Sequence, residues 1–405
     1  MQVPFFRVAL GDAEIAEVVD TLKSGWLTTG PKTRRFEEEF AAAVGGGHAL
    51  ALNSCTAALH VAVEALGLRA GDGVLVPSMT FAATAEVVRY LGAIPILVDC
   101  EPGTCNIDVT HAEQLLTDCA RGRFPPGVTA STRIVGVMPV HYGGYMVDVA
   151  AVRALASRHG LWVVEDAAHA FPAAWRAEGD PSWQRCGSGT ADVTCFSFYA
   201  NKTITTGEGG MAVTNSATLA ARMKQMSLHG LSHDAWGRYS GGGSWDYKIL
   251  APGYKYNLTD IASAIGLHQL RRAEDLRVAR ETRATWYDER LAHSAEAIRP
   301  HSSPTRLHAW HLYPIQLCLD QLPVTRNQVI DALKARGVTT SVHWRPLHLH
   351  PYYQERFGYT PGACPAATAV FDRILSLPLF PDLTLDEVAY VVAALRQACG
   401  ESVGV

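Results

Sequence analysis

Residues 191–215, ADVTCFSFYANKTITTGEGGMAVTN, decide how the rest of the chain is read. Two short apolar, β-branched runs, 193–198 and 211–214, each have the length of a buried strand. Lys202 lies between them, followed by Gly207, Glu208, Gly209 and Gly210. A lysine in a turn is most often simply solvated. One held between two buried strands is partly desolvated, and an unpaired ammonium there tends to give up its proton. The neutral amine is a nucleophile that condenses with carbonyl groups.

Upstream, residues 161–170 read LWVVEDAAHA. The apolar residues predict a strand with Glu165 and Asp166 at its C-terminal end, where ligands of open α/β sheets bind. Read alone, Asp166 is an N-cap for the turn that follows. Read with Lys202, it completes the pair that pyridoxal 5'-phosphate (PLP) needs. The lysine holds the aldehyde, and the aspartate keeps the pyridine nitrogen protonated so that the ring acts as an electron sink.

These motifs resemble those of the DegT/StrS-type nucleotide-sugar aminotransferases: Ser197-Phe198-Tyr199-Ala200-Asn201-Lys202, then Gly207-Glu208-Gly209-Gly210, with Glu165-Asp166-Ala167-Ala168-His169 upstream. The resemblance runs over nearly the whole chain, with the motifs in the family's order. It implies the aspartate-aminotransferase fold (fold type I), an α/β architecture with a large, mostly parallel sheet domain and a smaller C-terminal α+β domain. It also implies a Schiff base on Lys202 and a homodimer with composite active sites. One departure is Tyr199, where relatives usually carry histidine.

Composition agrees with an ordinary globular enzyme. Of 405 residues, 48% are hydrophobic and 18% charged, enough for two domains with well-filled cores. A net charge of −4 supplies no basic field for nucleic acid. The nine cysteines form no C-x-x-C pair and no zinc spacing, and read as reduced thiols of a cytoplasmic protein. The N-terminal residues do not have the pattern of a signal peptide, and no apolar run has the length of a membrane span.

Strands are expected near 48–52, 73–77, 94–98, 132–139 and 161–166, alternating with helices at 57–66, 82–91 and 148–159. That alternation predicts a doubly wound, largely parallel sheet. Helices at 12–22, 32–44 and 219–226 accompany it. From about residue 263 the pattern changes, placing a large domain at 1–262 and a small one at 263–405. A long helix is expected over 261–291, strands over 309–319 and 338–343, and helices at 326–336 and 385–398.

The candidate site residues follow from strand ends, loops and the resemblance. Asn53-Ser54-Cys55-Thr56 opens a helix, and bare amides at a helix start suit an anion. The family places the cofactor phosphate at Thr56, Ala57 and Ser197. It places an aromatic ring on the pyridine at Phe81, and an imidazole at the ring's hydroxyl side at His169. Gly253-Tyr254-Lys255-Tyr256-Asn257 stands where many relatives carry Gly-Tyr-Asn-Tyr-Arg and reach the partner subunit's cofactor phosphate. Lys255 and Asn257 are therefore cofactor-binding candidates, a lysine meeting phosphate as a point charge. Thr28 and Thr29, in the SGWLTTG loop, border the substrate pocket in relatives. Residues 229–253 form a long Gly-, Ser- and Trp-rich connection whose Arg238 offers a bidentate fork for the carboxylates of an amino donor. His343-Trp344-Arg345-Pro346-Leu347-His348-Leu349-His350 reads as a substrate-facing loop, with His343 and Arg345 suited to a pyrophosphate; no metal is expected there.

The expected activity is transfer of an amino group from glutamate to a keto sugar on a nucleotide. GWLTTGPK, PGYKYNLTDI, HAWHLYPI and SLPLFPD resemble the C4-aminating branch, of the UDP-4-amino-4-deoxy-L-arabinose–oxoglutarate aminotransferase type. C3-keto sugars and keto-cyclitols are the alternative acceptors. A related branch that dehydrates sugars at C3 has histidine in place of the lysine, so Lys202 argues against it. A non-catalytic PLP-binding regulator lacks support from any DNA-binding element.

Overall fold

The computed structural model describes residues 1–232 and 247–400. Its main sheet has seven strands: β1 (His48–Leu52), β2 (Gly73–Pro77), β3 (Ile94–Val98), β4 (Ile134–Val137), β5 (Trp162–Asp166), and, after the two-residue ribbon strands β6 (Ala174–Trp175) and β7 (Gln184–Arg185), β8 (Val193–Ser197) and β9 (Gly210–Thr214). The spatial order is β1-β9-β8-β5-β4-β2-β3. β9 runs antiparallel to both its neighbours and every other adjacent pair is parallel. These strands are buried over most of their length, as the near-continuous Val, Ile and Leu runs require when helices cover both faces.

The topology makes one edge of the sheet chemically rich. β1, β2, β4, β5 and β8 all end there, and antiparallel β9 begins there. The glycines of the Gly-Glu-Gly-Gly run have physical reasons to be glycine. Gly207 sits at φ +82°, and a side-chain carbon on Gly210 would lie 2.4–2.5 Å from the backbone of Ser54 and Cys55. The start of β9 is thereby pressed against the start of the helix Cys55–Ala65.

A second sheet joins β10 (Ala297–Ile298), β12 (Tyr313–Leu317) and β13 (Ile374–Leu377), while β11 (Arg306–Leu307) pairs with the β6–β7 ribbon. The helices Arg326–Ala335 and Leu385–Ala398 pack with this sheet around Tyr287, Tyr313 and Phe380.

Three expectations are corrected. The helix over 261–291 is two helices, Asp260–Arg271 and Ala273–Arg290, because the chain turns at Arg272, whose φ and ψ are −98° and 3°. The strand over 309–319 starts only at Tyr313, since Trp310 takes a left-handed φ of +51° that no strand accommodates. Residues 338–343 form single bridges, Val338 with Val3 and Ser341 with Ser376, rather than a strand. That segment leaves the sheet edge to carry His343 and Trp344 to the site. The helices Val109–Ala120, Pro351–Phe357 and Pro365–Arg373, and strand β13, were not anticipated.

Candidate active site

The carboxyl edge of the main sheet closes around a cavity of about 440 Å³. Strand ends supply its wall: Thr56 after β1, Thr80 and Phe81 after β2, Asp166, Ala168 and His169 from β5 onward, and Ser197 to Lys202 after β8. His311, His343 and Trp344 come in from the C-terminal part of the chain. Lys202 is the only lysine or arginine on this wall among the described residues. Among the described residues its Nζ has no hydrogen-bond partner, and burial pushes its pKa down to about 8 against the opposing pull of Cys55 and Asp166.

Successive side chains of a strand point to opposite faces, and β5 uses this to separate two carboxylates. Glu165 turns away from the cavity, accepting from the hydroxyls of Thr190 (2.7 Å) and Thr194 (2.9 Å), with His141 Nε2 at 3.5 Å. Burial raises the pKa of Glu165, but these donors outweigh it and leave the carboxyl below its ordinary range. Asp166 faces the cavity. Its Oδ2 accepts from the Thr84 hydroxyl (2.7 Å), which is also 2.8 Å from Thr80 Oγ1, and its Oδ1 accepts from the Ala168 amide (3.1 Å). The bond to Ala168 is the capping role a lone aspartate would have, so Asp166 performs that role and still presents itself to the site. Burial raises its pKa, with Thr84, Ala168 and then Lys202 pulling the other way.

Four rings form the opposite wall. His169 lies 4.2 Å from His311 and 5.0 Å from Trp344 between ring centroids, and Trp344 lies 6.4 Å from Phe81. The Gly143 amide donates to His169 Nδ1 at 3.2 Å, so that nitrogen is unprotonated. Burial first, then the charge of Lys202, holds His169 well below the ordinary imidazole range; His343 is pushed down to about 3 by the same causes. These imidazoles are neutral near pH 7.

The structure brings Lys202, Asp166, Thr56, Phe81, His169, Ser197 and His343 to one cavity. Ala57 is not on its wall; its amide donates to the Ser54 hydroxyl (3.1 Å) as part of the helix cap. Thr28 and Thr29 do not line it within this chain. The Thr28 carbonyl accepts from the Asp260 amide at 3.1 Å, and the Thr29 hydroxyl donates to the Leu258 carbonyl. Asn257 donates to the Thr29 hydroxyl (2.7 Å) and accepts from Lys255, so both are also outside. Arg345 is turned away, donating twice to the Leu349 carbonyl. His348 is buried between Ser78 (2.6 Å) and Thr368 (2.8 Å), and His350 lies 3.3 Å from the Arg345 carbonyl, so the run of three imidazoles splits and only His343 reaches the cavity. Arg238 lies outside the described residues. The sequence reading missed Thr80, Thr84, His311 and Trp344. The i, i+4 spacing of Thr80 and Thr84 at a strand end was the available signal for the first two.

The cavity fits PLP on its own features. Among the described residues, the amides of Cys55 and Thr56, at the open start of a helix, donate to no acceptor, which suits a phosphate. A carboxylate, an amine of lowered pKa and an exposed phenyl face, Phe81 at 59% exposure, suit a cationic aromatic aldehyde.

Residues 8–396 match the DegT/DnrJ/EryC1/StrS aminotransferase family, and the chain belongs to that family. It is 43% identical over 395 residues to the spore coat polysaccharide biosynthesis protein SpsC of Bacillus subtilis, covering 97% of this chain and 96% of that one. Among solved structures it is similar to the sugar aminotransferase Spr1654 of Streptococcus pneumoniae, with 30% identity, TM-score 0.86 and 98% of each chain covered; that protein is solved in PMP and PLP forms. It is also similar to PseC of Helicobacter pylori, an aminotransferase of pseudoaminic acid biosynthesis, with 26% identity, TM-score 0.85 and coverage of 98% and 99%. The chain is thus a PLP-dependent sugar aminotransferase with the fold of that class.

Proposed function

We propose that this enzyme moves an amino group from glutamate to the C4 ketone of a sugar carried on a nucleotide, with Lys202 and Asp166 as its catalytic residues. The observation that supports this most directly is the placing of a lysine of lowered pKa and a buried carboxylate in one cavity at the sheet's carboxyl edge.

Bound PLP supplies an aldehyde for amine exchange and a ring that stores the electron pair released at carbon. Lys202 would hold the cofactor through Nζ, and its free amine would carry the proton between the donor's α-carbon and the carbon that bore the aldehyde, with the same transfer run backwards on the sugar. Asp166 would hold the ring nitrogen in its protonated form, and the Thr84 hydroxyl fixes the carboxylate for that role. Thr56 and Ser197 would hold the phosphate with the amides at the start of the helix Cys55–Ala65. Phe81 would pack against the ring, and His169 would meet the ring's hydroxyl through Nε2, since its Nδ1 is already an acceptor.

Among the described residues Lys202 is the one lysine or arginine on the wall, so the carboxylates of glutamate and the cofactor phosphate call for others. Arg238 is assigned to the donor, and Lys255 with Asn257, supplied by a second copy in a homodimer, to the phosphate. Thr28, Thr29 and His343 border the acceptor, with Arg345 at its outer margin. Residues 1–262 form the large PLP-binding domain and 263–405 the small one in this reading. A cytoplasmic location suits a chain whose nine cysteines have no C-x-x-C pair or zinc spacing.

The test is mass spectrometry of products after incubating enzyme and glutamate with a panel of nucleotide 4-keto and 3-keto sugars and keto-cyclitols. A 4-amino nucleotide sugar is expected. Amination of cyclitols alone overturns the acceptor assignment.

A further inference from the structure

Beside the Lys202 cavity lies a second groove of about 500 Å³ between the helices Ala83–Tyr90 and Pro351–Phe357. Ala82, which lines it, stands in the chain between Phe81 and Ala83, both on the cavity wall, and Leu347, which also lines it, follows three residues after Trp344 of that wall. The groove and the cavity are therefore walled by neighbouring residues of the same two segments.

Its chemistry is specific. Tyr90 and Tyr352 present ring surface to solvent, at 55% and 48% exposure. Arg89 is held in place: its Nε donates to the Tyr352 hydroxyl at 3.2 Å, its Nη1 to the Ala93 carbonyl, and its guanidinium lies 5.3 Å from the Phe357 ring centroid. Its Nη2 has no hydrogen-bond partner among the described residues. Glu86, one turn nearer the cavity, is exposed and accepts only from the Tyr90 hydroxyl, at 3.2 Å. Tyr353 is 4% exposed, lines the groove, and has a buried hydroxyl with no hydrogen-bond partner. A buried, unpaired phenol in a groove wall is a group waiting for a ligand atom.

We propose that this groove binds the nucleoside of the acceptor, an inference that rests on the nucleotide-sugar reading above. The base stacks on Tyr90 and Tyr352, since aromatic faces take any base. The Glu86 carboxylate accepts from the ribose hydroxyls, and Arg89 Nη2 and the Tyr353 hydroxyl donate to oxygens of the base. The order along the helix agrees with the order along the ligand. The helix advances about 10 Å from Ala83 to Tyr90, which leaves the diphosphate between the sugar beside Lys202 and the base at the far end. Arg89 and Glu86 each keep a binding atom free and are pinned by neighbours, so little ordering remains to oppose binding.

The experiment is calorimetric titration of the cofactor-loaded enzyme with UDP, TDP and GDP. The native enzyme is expected to bind at least one of them. Tyr352→Ala, Tyr90→Ala and Glu86→Gln are each expected to weaken that binding tenfold or more while the visible absorption of the bound cofactor is retained. Should Tyr352→Ala lose the absorption, the exposed positions Tyr90 and Glu86 decide. Binding that is unchanged in those variants overturns the groove and leaves the nucleotide-sugar reading standing. Failure of the native enzyme to bind any of the three overturns that reading, and the groove with it.

Discussion

The cavity around Lys202 and the clasp joining residues 28–33 to 257–260 draw on similar polar side chains in opposite states. In the clasp the Asp260 carboxylate, 2% exposed, accepts from the amides of Gly30 (2.7 Å), Lys32 (3.1 Å) and Thr33 (2.9 Å) and from the Thr33 hydroxyl (2.7 Å). Thr29 and Asn257 are consumed in the same web. In the cavity, among the described residues, Lys202 Nζ has no hydrogen-bond partner, His311 Nδ1 is buried and unpaired, and the amides of Cys55 and Thr56 have no acceptor. Polar groups that satisfy each other hold a fold together; polar groups left unsatisfied in a cavity are available to a ligand. Changes in the cavity should therefore cost chemistry, and a change at Asp260, the one carboxylate of the clasp and a residue given no part in the proposed site, should cost stability.

Replacing Lys202 with Ala is the harshest test of that division. We expect single-turnover amine transfer to fall by about 10³-fold or more, because the amine that would hold the cofactor and move the proton is gone. The visible absorption of a lysine-bound cofactor should disappear, while the denaturation midpoint stays near the native value or rises, as a buried ammonium has been removed. Retained absorption would locate the attachment elsewhere.

Asp166→Asn comes next. It preserves shape and the bond from Ala168 but removes the anion, and a loss of about 10²–10³-fold in kcat is expected with weaker cofactor retention. A loss of less than about tenfold would mean that Thr84 and Asp166 are only structural. The free amine adds a third, smaller effect. The Lys202 pKa of about 8 means that its nucleophilic fraction grows about tenfold per pH unit below 8 and levels off above it. The rate at which apoprotein recaptures PLP should follow that curve; a midpoint near 10.5 would show that burial does not reach this amine. The sign for stability is the same. A lysine whose folded pKa lies below its unfolded value makes the apoprotein gain stability as pH rises from about 8 towards 10.5.

How much of this was legible in the sequence follows the same divide. β5 and β8 announce themselves as short β-branched runs, and Asp166 and Lys202 stand at their ends, so topology alone carries both to one edge. Gly207, Glu208, Gly209 and Gly210 were visible as a motif, although the reason for Gly210, the contact with Ser54, is a tertiary fact. The contributors from the far end of the chain were harder. His311 and Trp344 reach the cavity only because Trp310 breaks one strand and residues 338–343 never form another, and periodicity carries no trace of either. The His343–His350 run showed cations, whereas burial makes His343 neutral and Leu349 captures Arg345. The helix Val109–Ala120 did carry a readable signal, an Asp108 cap on the amides of Thr110 and His111 and apolar residues at 109, 112, 115, 116 and 119 in helical spacing.

The mildest effect on chemistry, and the one that most sharpens the contrast, belongs to Asp260. Its carboxylate is the shared acceptor for the first turn of the helix Pro31–Val44, whose Gly30 cap has no side chain to offer. Asp260→Ala leaves three amides and a hydroxyl to find water in a closed site. Charge-assisted bonds of this kind are worth about 1.5–3 kcal/mol each when broken singly, but they share one acceptor and are not additive. A net destabilisation of about 3 kcal/mol is expected, read as a lower urea midpoint at unchanged slope. Single-turnover chemistry at saturating substrate should fall less than about threefold, since nothing on the cavity wall has moved. Asp260→Asn, which keeps one acceptor oxygen, should recover about half of the lost stability. If instead Asp260→Ala spares the midpoint and abolishes turnover, the clasp is part of the reacting site, and the distinction between satisfied and unsatisfied polar groups fails at the place where it is most clearly drawn.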